Sequence, residues 1–374
     1  MDDIEKKSES LITEAYARYA SDIHIVPKEK NADIYFRTQQ ALVYYMSISK
    51  RTSERLISHF KFYAGMDIGE RRKPQNGAMD FTLRDKRIDL RLSTLPTPFH
   101  ESLVIRLLPQ DETFALQDLP IFHRSYELLS SFIQRKSGLV LITGPTGAGK
   151  STTLYALLYE AKRHLSRNII TLEEPIEKRT DSFIQMEINE KAGLSYYEGL
   201  KAILRHDPDI IMIGEIRDEQ TAHLAVRAAL TGHLVFSTLH TKDTIGALDR
   251  LLELNIPLHE IEQTLIGVTA QRLVRRICQY CGANCNRFCQ TLGRKKQAAI
   301  FEFLTGKQLD ETFLEMKSGK RIQVQSKTLA SEIRKAIALG FICEKSYEQW
   351  IGETNEEMER NEKSRIPHST WPIT

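Results

Sequence analysis

The chain has 374 residues, 41% of them hydrophobic, which is enough for two or more domains with cores of their own and excludes a disordered polymer. Its 52 Lys and Arg stand against 49 Asp and Glu, and a formal charge of +3 argues by itself for neither a nucleic-acid binder nor a membrane-surface binder. The opening MDDIEKKSES is acidic and charged where a secretory signal starts basic and turns apolar, and no stretch reaches the ~20 apolar residues of a membrane span, so a cytoplasmic protein is expected.

In chain order, residues 1–109 mix a helical start with short alternating strands such as DIYFR (Asp33 to Arg37) and RIDLRLSTL (Arg87 to Leu95), the pattern of a smaller α+β domain. Residues 110–120, an acidic cluster closed by a proline, read as a linker. From 121 to 272, apolar runs alternate with amphipathic helices: GLVLIT (Gly138 to Thr143), NIITL (Asn168 to Leu172), DIIMIGE (Asp209 to Glu215) and HLVFSTLH (His233 to His240). That alternation predicts an α/β core with a mostly parallel sheet covered by helices. Leu154, Leu157, Leu158, Ala161 and Leu165 recur at helical spacing after the first strand, and Asp218 is placed to cap a helix reaching about Leu230 that Gly232 ends. Residues 273–353 hold a cysteine cluster and then helical, charged sequence, and 354–374 are polar enough to be expected as a partly disordered tail.

Gly144, Pro145, Thr146, Gly147, Ala148, Gly149, Lys150 and Ser151 satisfy the G-x-x-x-x-G-K-[ST] phosphate-loop pattern, and Thr152 continues it into the helix. The match follows an apolar strand and precedes an amphipathic helix, which a chance glycine-rich turn would not. The glycines let backbone N–H groups point at phosphate oxygens, and the helix N-terminus adds a favourable dipole there. Lys150 is expected at the β and γ phosphates of ATP. Ser151 is expected to offer its hydroxyl to Mg2+.

Phosphoryl transfer also needs carboxylates at the C-terminal ends of other strands, to hold metal and orient the attacking water. Glu173 and Glu174 follow NIITL, and Glu215 ends IIMIG. His233 and His240 flank LVFST and are candidates for contact with the γ-phosphate.

Together these residues resemble the ATPase family of type II secretion, type IV pili and competence pseudopili. The likeness runs from SDIHIVP (Ser21 to Pro27) through QNGAMDF, RLSTLP, ESLVIRLL and GPTGAGKS to LEEPIE, LRHDPDIIMIGEIRD and LTGHLVFSTLHT. It implies a RecA-like P-loop core preceded by a PAS-like N-terminal domain, ATP hydrolysis, and a homo-hexamer. LEEPIE resembles the family's acidic box, with Glu173 as the matching acid. IIMIGE resembles its Walker B segment, with Glu215. GHLVFSTLH resembles its histidine box and implies that His233 and His240 lie near the phosphates. Arg91 and Arg106 match arginines of the family's N-terminal domain that approach the nucleotide of a neighbouring or closed subunit. The sequence departs from the family at Glu174, where aspartate is usual, and at Ser102, where arginine is usual.

Cys278, Cys281, Cys285 and Cys289 fall in a compact Cys-x2-Cys-x3-Cys-x3-Cys run, and zinc and free thiols both stand as readings of it. The family's retraction ATPases generally lack such a cysteine element, so the resemblance favours assembly over retraction, and the compact N-terminus favours the competence ATPases of Gram-positive bacteria. It implies a polytopic inner-membrane platform protein as partner, pseudopilins indirectly, and attachment to the cytoplasmic face of the membrane through partners. A pilus retraction ATPase and a direct DNA translocase are the rivals. No basic stripe with interleaved aromatics favours direct nucleic-acid contact.

Overall fold

The computed structural model describes residues 3–38, 41–83, 86–110, 114–189, 192–278, 281–282, 297–318 and 328–351. It divides into two compact units, one of residues 1–113 together with Glu177–Arg179, the other of residues 114–176 and 180–374.

The first unit contains α1 (Asp3–Ala17), β1 (Asp22–Pro27), β2 (Asn31–Thr38), β3 (Ala41–Ser49), α2 (Lys50–Tyr63), β4 (Gln75–Leu83), β5 (Lys86–Thr97) and β6 (His100–Pro109). Its strands form an antiparallel sheet in the order β3-β2-β1-β6-β5-β4. Alternation decides the faces: Ile88, Leu90 and Leu92 of β5 are buried while Asp89, Arg91 and Ser93 between them are half-exposed. Ile12, Phe60, Ile23, Phe36 and Ile105 build a core between the two helices and the covered face. Within it Lys61 and Glu101, 1% and 2% exposed, form an ion pair at 2.9 Å, and Lys61 also donates to the Glu70 carbonyl at 2.7 Å. Removing one partner of such a pair leaves a buried charge, at a cost of about 3–5 kcal/mol.

The second unit has a sheet in the order β13-β12-β7-β11-β10-β8-β9, parallel except for the edge pair β12 and β13. These are β7 (Gly138–Thr143), β8 (Ile169–Glu173), β9 (Ile184–Glu187), β10 (Ile210–Ile213), β11 (Leu234–Leu239), β12 (Leu265–Arg275) and β13 (Gln297–Thr305). Every residue of β7, β8, β10 and β11 is buried, because helices cover both faces and the apolar runs have no solvent side. Each fully buried Leu, Ile or Phe in these strands contributes roughly 1.5–3 kcal/mol. The covering helices include α3 (His123–Ile133), α4 (Lys150–His164), α5 (Tyr196–Ile203), α6 (Glu219–Leu230), α7 (Thr244–Glu253) and α8 (Leu258–Thr264). Three more follow the sheet: α9 (Lys307–Ser318), α10 (Leu329–Ala338) and α11 (Lys345–Ile351).

Asp218 caps α6, its carboxylate accepting from the Thr221 N–H at 2.8 Å, and Gly232 turns the chain back at φ +108°. The boundary expected at 272 falls inside β12, and β13 extends the same sheet, so the described residues beyond 272 continue the core. The expected tail, 354–374, lies outside the described residues, and among the described residues no helix is long and apolar enough to cross a membrane.

Candidate active site

Because β7, β8, β10 and β11 run parallel, their C-terminal ends share one edge of the sheet. The phosphate loop leaves β7 at that edge. Gly144 has φ +149° and Gly149 φ +85°, and a β-carbon would come within 2.6 Å of the Gln271 carbonyl oxygen at the first and 2.9 Å of the Gln271 amide nitrogen at the second. Glycine at both is therefore enforced by backbone conformation and by space. Gln271, 1% exposed on β12, fixes the loop from behind: its amide donates to the Ala148 carbonyl at 2.8 Å and accepts from the Thr153 hydroxyl at 2.9 Å. Lys150, 8% exposed at the first position of α4, donates to the carbonyls of Gly144 at 2.7 Å and Pro145 at 3.2 Å.

Glu173 ends β8 and is 4% exposed. Its Oε1 accepts from the Thr171 hydroxyl at 2.6 Å and the Gln185 amide at 3.2 Å, and its Oε2 from the Tyr155 hydroxyl at 2.6 Å. Glu215 lies two residues past β10, with Arg217 donating to Oε1 at 2.5 Å and His240 Nε2 3.3 Å from Oε2. Arg217 also donates to Glu174 at 2.9 Å, so one guanidinium joins the acids of two strand ends. Burial pushes the Glu215 carboxyl up, but the hydrogen bond and charge of Arg217, with smaller pulls from His240 and Lys150, reverse this and hold it below the usual carboxylate range. Burial, then the charges of Glu215 and Glu174, push the neighbouring Tyr196 hydroxyl up, keeping it neutral.

The two candidate histidines separate. His240 follows β11 at the loop edge, held there because the Thr241 N–H donates to the Thr143 hydroxyl at 2.9 Å. His233 precedes β11, where its carbonyl accepts from the Gly138 N–H and its Nδ1 lies 2.9 Å from the Ala228 carbonyl. The six residues of β11 put roughly 20 Å between the two, so His233 stands at the far edge of the sheet from the phosphate loop of its own chain. The expectation that both histidines lie near the phosphates is corrected accordingly.

Arg91 and Arg106 belong to the first unit, where they face each other across β5 and β6. Arg106 pairs with Asp22 at 2.9 Å, and Arg37 lies 3.7 Å from the same carboxylate. Burial and the Arg37 charge lower the pKa of the adjacent His24. In the second unit a cavity of about 690 Å³, lined by Glu215, Arg217, His240, Asp249 and Arg250, opens beside the acids.

The sulfurs of Cys278 and Cys281 lie 3.9 Å apart, and Cys278 and Gly282 exchange backbone hydrogen bonds. Cys285 and Cys289 lie outside the described residues, and among the described residues no three metal-binding side chains converge. The neighbours of the site that motif reading missed are Tyr155, Gln185, Arg217 and Gln271, and of these Gln185 and Gln271 come from distant strands with no fixed spacing to the loop. Arg217 had a local signal, standing two residues past an acid on a strand-end loop, and Tyr155 follows the loop lysine by five residues on the same helix.

Residues 1–351 match the family described as Type II/IV secretion system protein. The chain is 50% identical over 352 residues to Competence protein ComGA of Bacillus subtilis (strain 168), covering 94% of this chain and 99% of that protein. With Competence protein ComGA of Halalkalibacterium halodurans it shares 47% identity over 347 residues, covering 92% and 98%. With Type II secretion system ATPase E of Vibrio cholerae it shares 43% over 273 residues, 73% of this chain and 54% of that protein. Its fold is similar to the X-ray structure of the Legionella pneumophila ATPase DotB, with TM-score 0.71, 22% identity and coverage of 92% and 95%. The crystal structure of the pilus retraction motor PilT with bound ADP gives TM-score 0.66, 24% identity and coverage of 96% and 99%, a likeness of fold alone. With a phosphate loop at the edge of a parallel sheet and likeness along nearly its whole length, the chain belongs to the type II/IV secretion system protein family, as an ATP-hydrolysing member.

Proposed function

We propose that the chain is the motor that powers assembly of a competence pseudopilus for DNA uptake. It acts as a homo-hexamer on the cytoplasmic face of the membrane, held there by a polytopic platform protein. The observation that carries this reading is the meeting of Lys150, Glu173, Glu215 and His240 at one edge of one parallel sheet. Near full-length likeness to two competence proteins supports the choice of machine.

In the proposed reaction water attacks the γ-phosphate of ATP and ADP leaves, so the protein's work is positioning and charge. Lys150 and the N-terminus of α4 take the phosphate charge. The Ser151 hydroxyl is a hard oxygen donor of the kind magnesium takes, and a magnesium ion held there would supply positive charge against the phosphates. Glu215 and Glu173 orient the attacking water and accept its proton, and His240 is positioned to meet the γ-phosphate side of the site. Arg91 and Arg106 supply positive charge to the γ-phosphate when a neighbouring or closing subunit presents them. His233, at the far edge, is left out of this set.

Lys150→Ala tests the reading. ATP turnover and pseudopilus assembly are both expected to vanish while the melting curve stays close to wild type; assembly that persists refutes the motor role. Two sulfurs sharing one zinc at ~2.3 Å stand about 3.8 Å apart, so Cys278 and Cys281 fit half of a tetrathiolate site. Metal analysis of the purified chain decides that part: one zinc per chain supports it and none removes it.

A further inference from the structure

We propose that Tyr155 is a positioning residue for the catalytic acid Glu173, with Gln185 as the bridge that fixes both; this rests on the reading of Glu173 given above. The two hydroxyl contacts to the carboxylate, from Tyr155 and Thr171, are each 2.6 Å, the length of charge-assisted O–H···O⁻ bonds. Gln185 donates to both members of the pair, to the Tyr155 oxygen at 3.0 Å and to Glu173 Oε1 at 3.2 Å. The Gln185 carbonyl oxygen accepts from the Thr180 N–H at 2.8 Å, which settles the amide orientation. Both oxygens of a carboxylate that is 4% exposed are thus held by donors from three separate elements, α4, β8 and β9.

The Tyr155 ring is itself immobilised. It is 6% exposed and packs with Tyr159 and Phe183, with ring centroids 6.4 and 6.0 Å away and the latter two 5.5 Å apart. Its helix opens at Lys150, so the hydroxyl rides on the same rigid rod as the phosphate-binding lysine, five residues on. A fixed donor on that rod sets where the acid stands relative to the phosphates. A tyrosine present only to fill the core would need neither the short bond nor the bridging amide. Preorganised acids owe their rate to such support, because misplacement costs orientation at the transition state more than it costs substrate binding.

The test is steady-state ATP turnover by the full chain carrying Tyr155→Phe, Gln185→Leu, Glu173→Gln, or Tyr155→Phe with Glu173→Gln. Tyr155→Phe is expected to lower kcat about tenfold or more, the loss that follows removal of a hydrogen bond to a charged group, with KM for ATP nearly unchanged. Gln185→Leu is expected to lower kcat in the same way by a smaller factor, and it keeps the test open if the first variant folds poorly. In the double variant the tyrosine change should add nothing to the loss caused by Glu173→Gln. A wild-type kcat in both single variants, or a full further loss in the double variant, overturns the positioning role. Full turnover by Glu173→Gln alone overturns instead the assignment of Glu173 on which it stands.

Discussion

Glu173 and Glu215 stand at the ends of neighbouring parallel strands, yet hydroxyl and amide donors meet the first where a guanidinium and an imidazole meet the second. Glu173 is sealed in, and the Tyr155 and Thr171 hydroxyls and the Gln185 amide donate to it. Glu215 is more open, at 18% side-chain exposure, and meets a guanidinium and an imidazole. Hydroxyl and amide donors fix direction by hydrogen-bond geometry. Cationic donors keep the carboxylate ionised. In the function proposed above, the pair would divide the labour of phosphoryl transfer, one acid held for orientation and the other kept ionised.

The largest effect expected from breaking this contrast is with Glu215→Gln, which should cut kcat by roughly a hundredfold or more, as befits loss of a general base. Glu173→Gln should cost less, because Thr171 and Tyr155 hydroxyls can turn to suit an amide, whereas the Arg217 donors cannot. Equal losses, read from single-turnover rates, would erase the division. A smaller and more selective effect is expected from Arg217→Gln. Glu215 is now depressed, so its ionised form is stabilised above the ordinary carboxyl value and that stabilisation fades as pH falls through the depressed one. Without Arg217, burial is opposed only by His240 and Lys150, the folded value rises, and the acid limb of the kcat profile should move to higher pH. A limb that stays in place would show that Glu215 does not set it.

Much of this edge was legible from residues alone, and the reasons are physical. Gly144 and Gly149 announce the loop because no other residue tolerates their backbone and their contact with Gln271. GLVLIT and LVFSTL announce buried strands because both faces are covered. Asp218 and Gly232 bracket their helix through cap chemistry that acts within a few residues. What escaped depends on pairing across the chain. Gln271 reaches the loop from more than a hundred residues away, and β13 joins the core sheet beyond a cysteine cluster that suggested a new region. The histidines show the cost of reading a motif as a point. Two residues flanking one strand belong to opposite edges of a sheet, and only His240 shares an edge with the loop.

Residues 177–179 carry a last consequence, for how the chain comes apart. Although they follow Glu173, they belong to the first unit, where the Gln110 amide donates to the Glu177 carbonyl at 3.2 Å and accepts from the Arg179 N–H at 2.9 Å. The polypeptide thus passes between the units three times, and the first unit is not a contiguous stretch of gene. A fragment ending at Thr113 would leave Gln110 without both backbone partners and Asp80 without Arg179, 3.7 Å away.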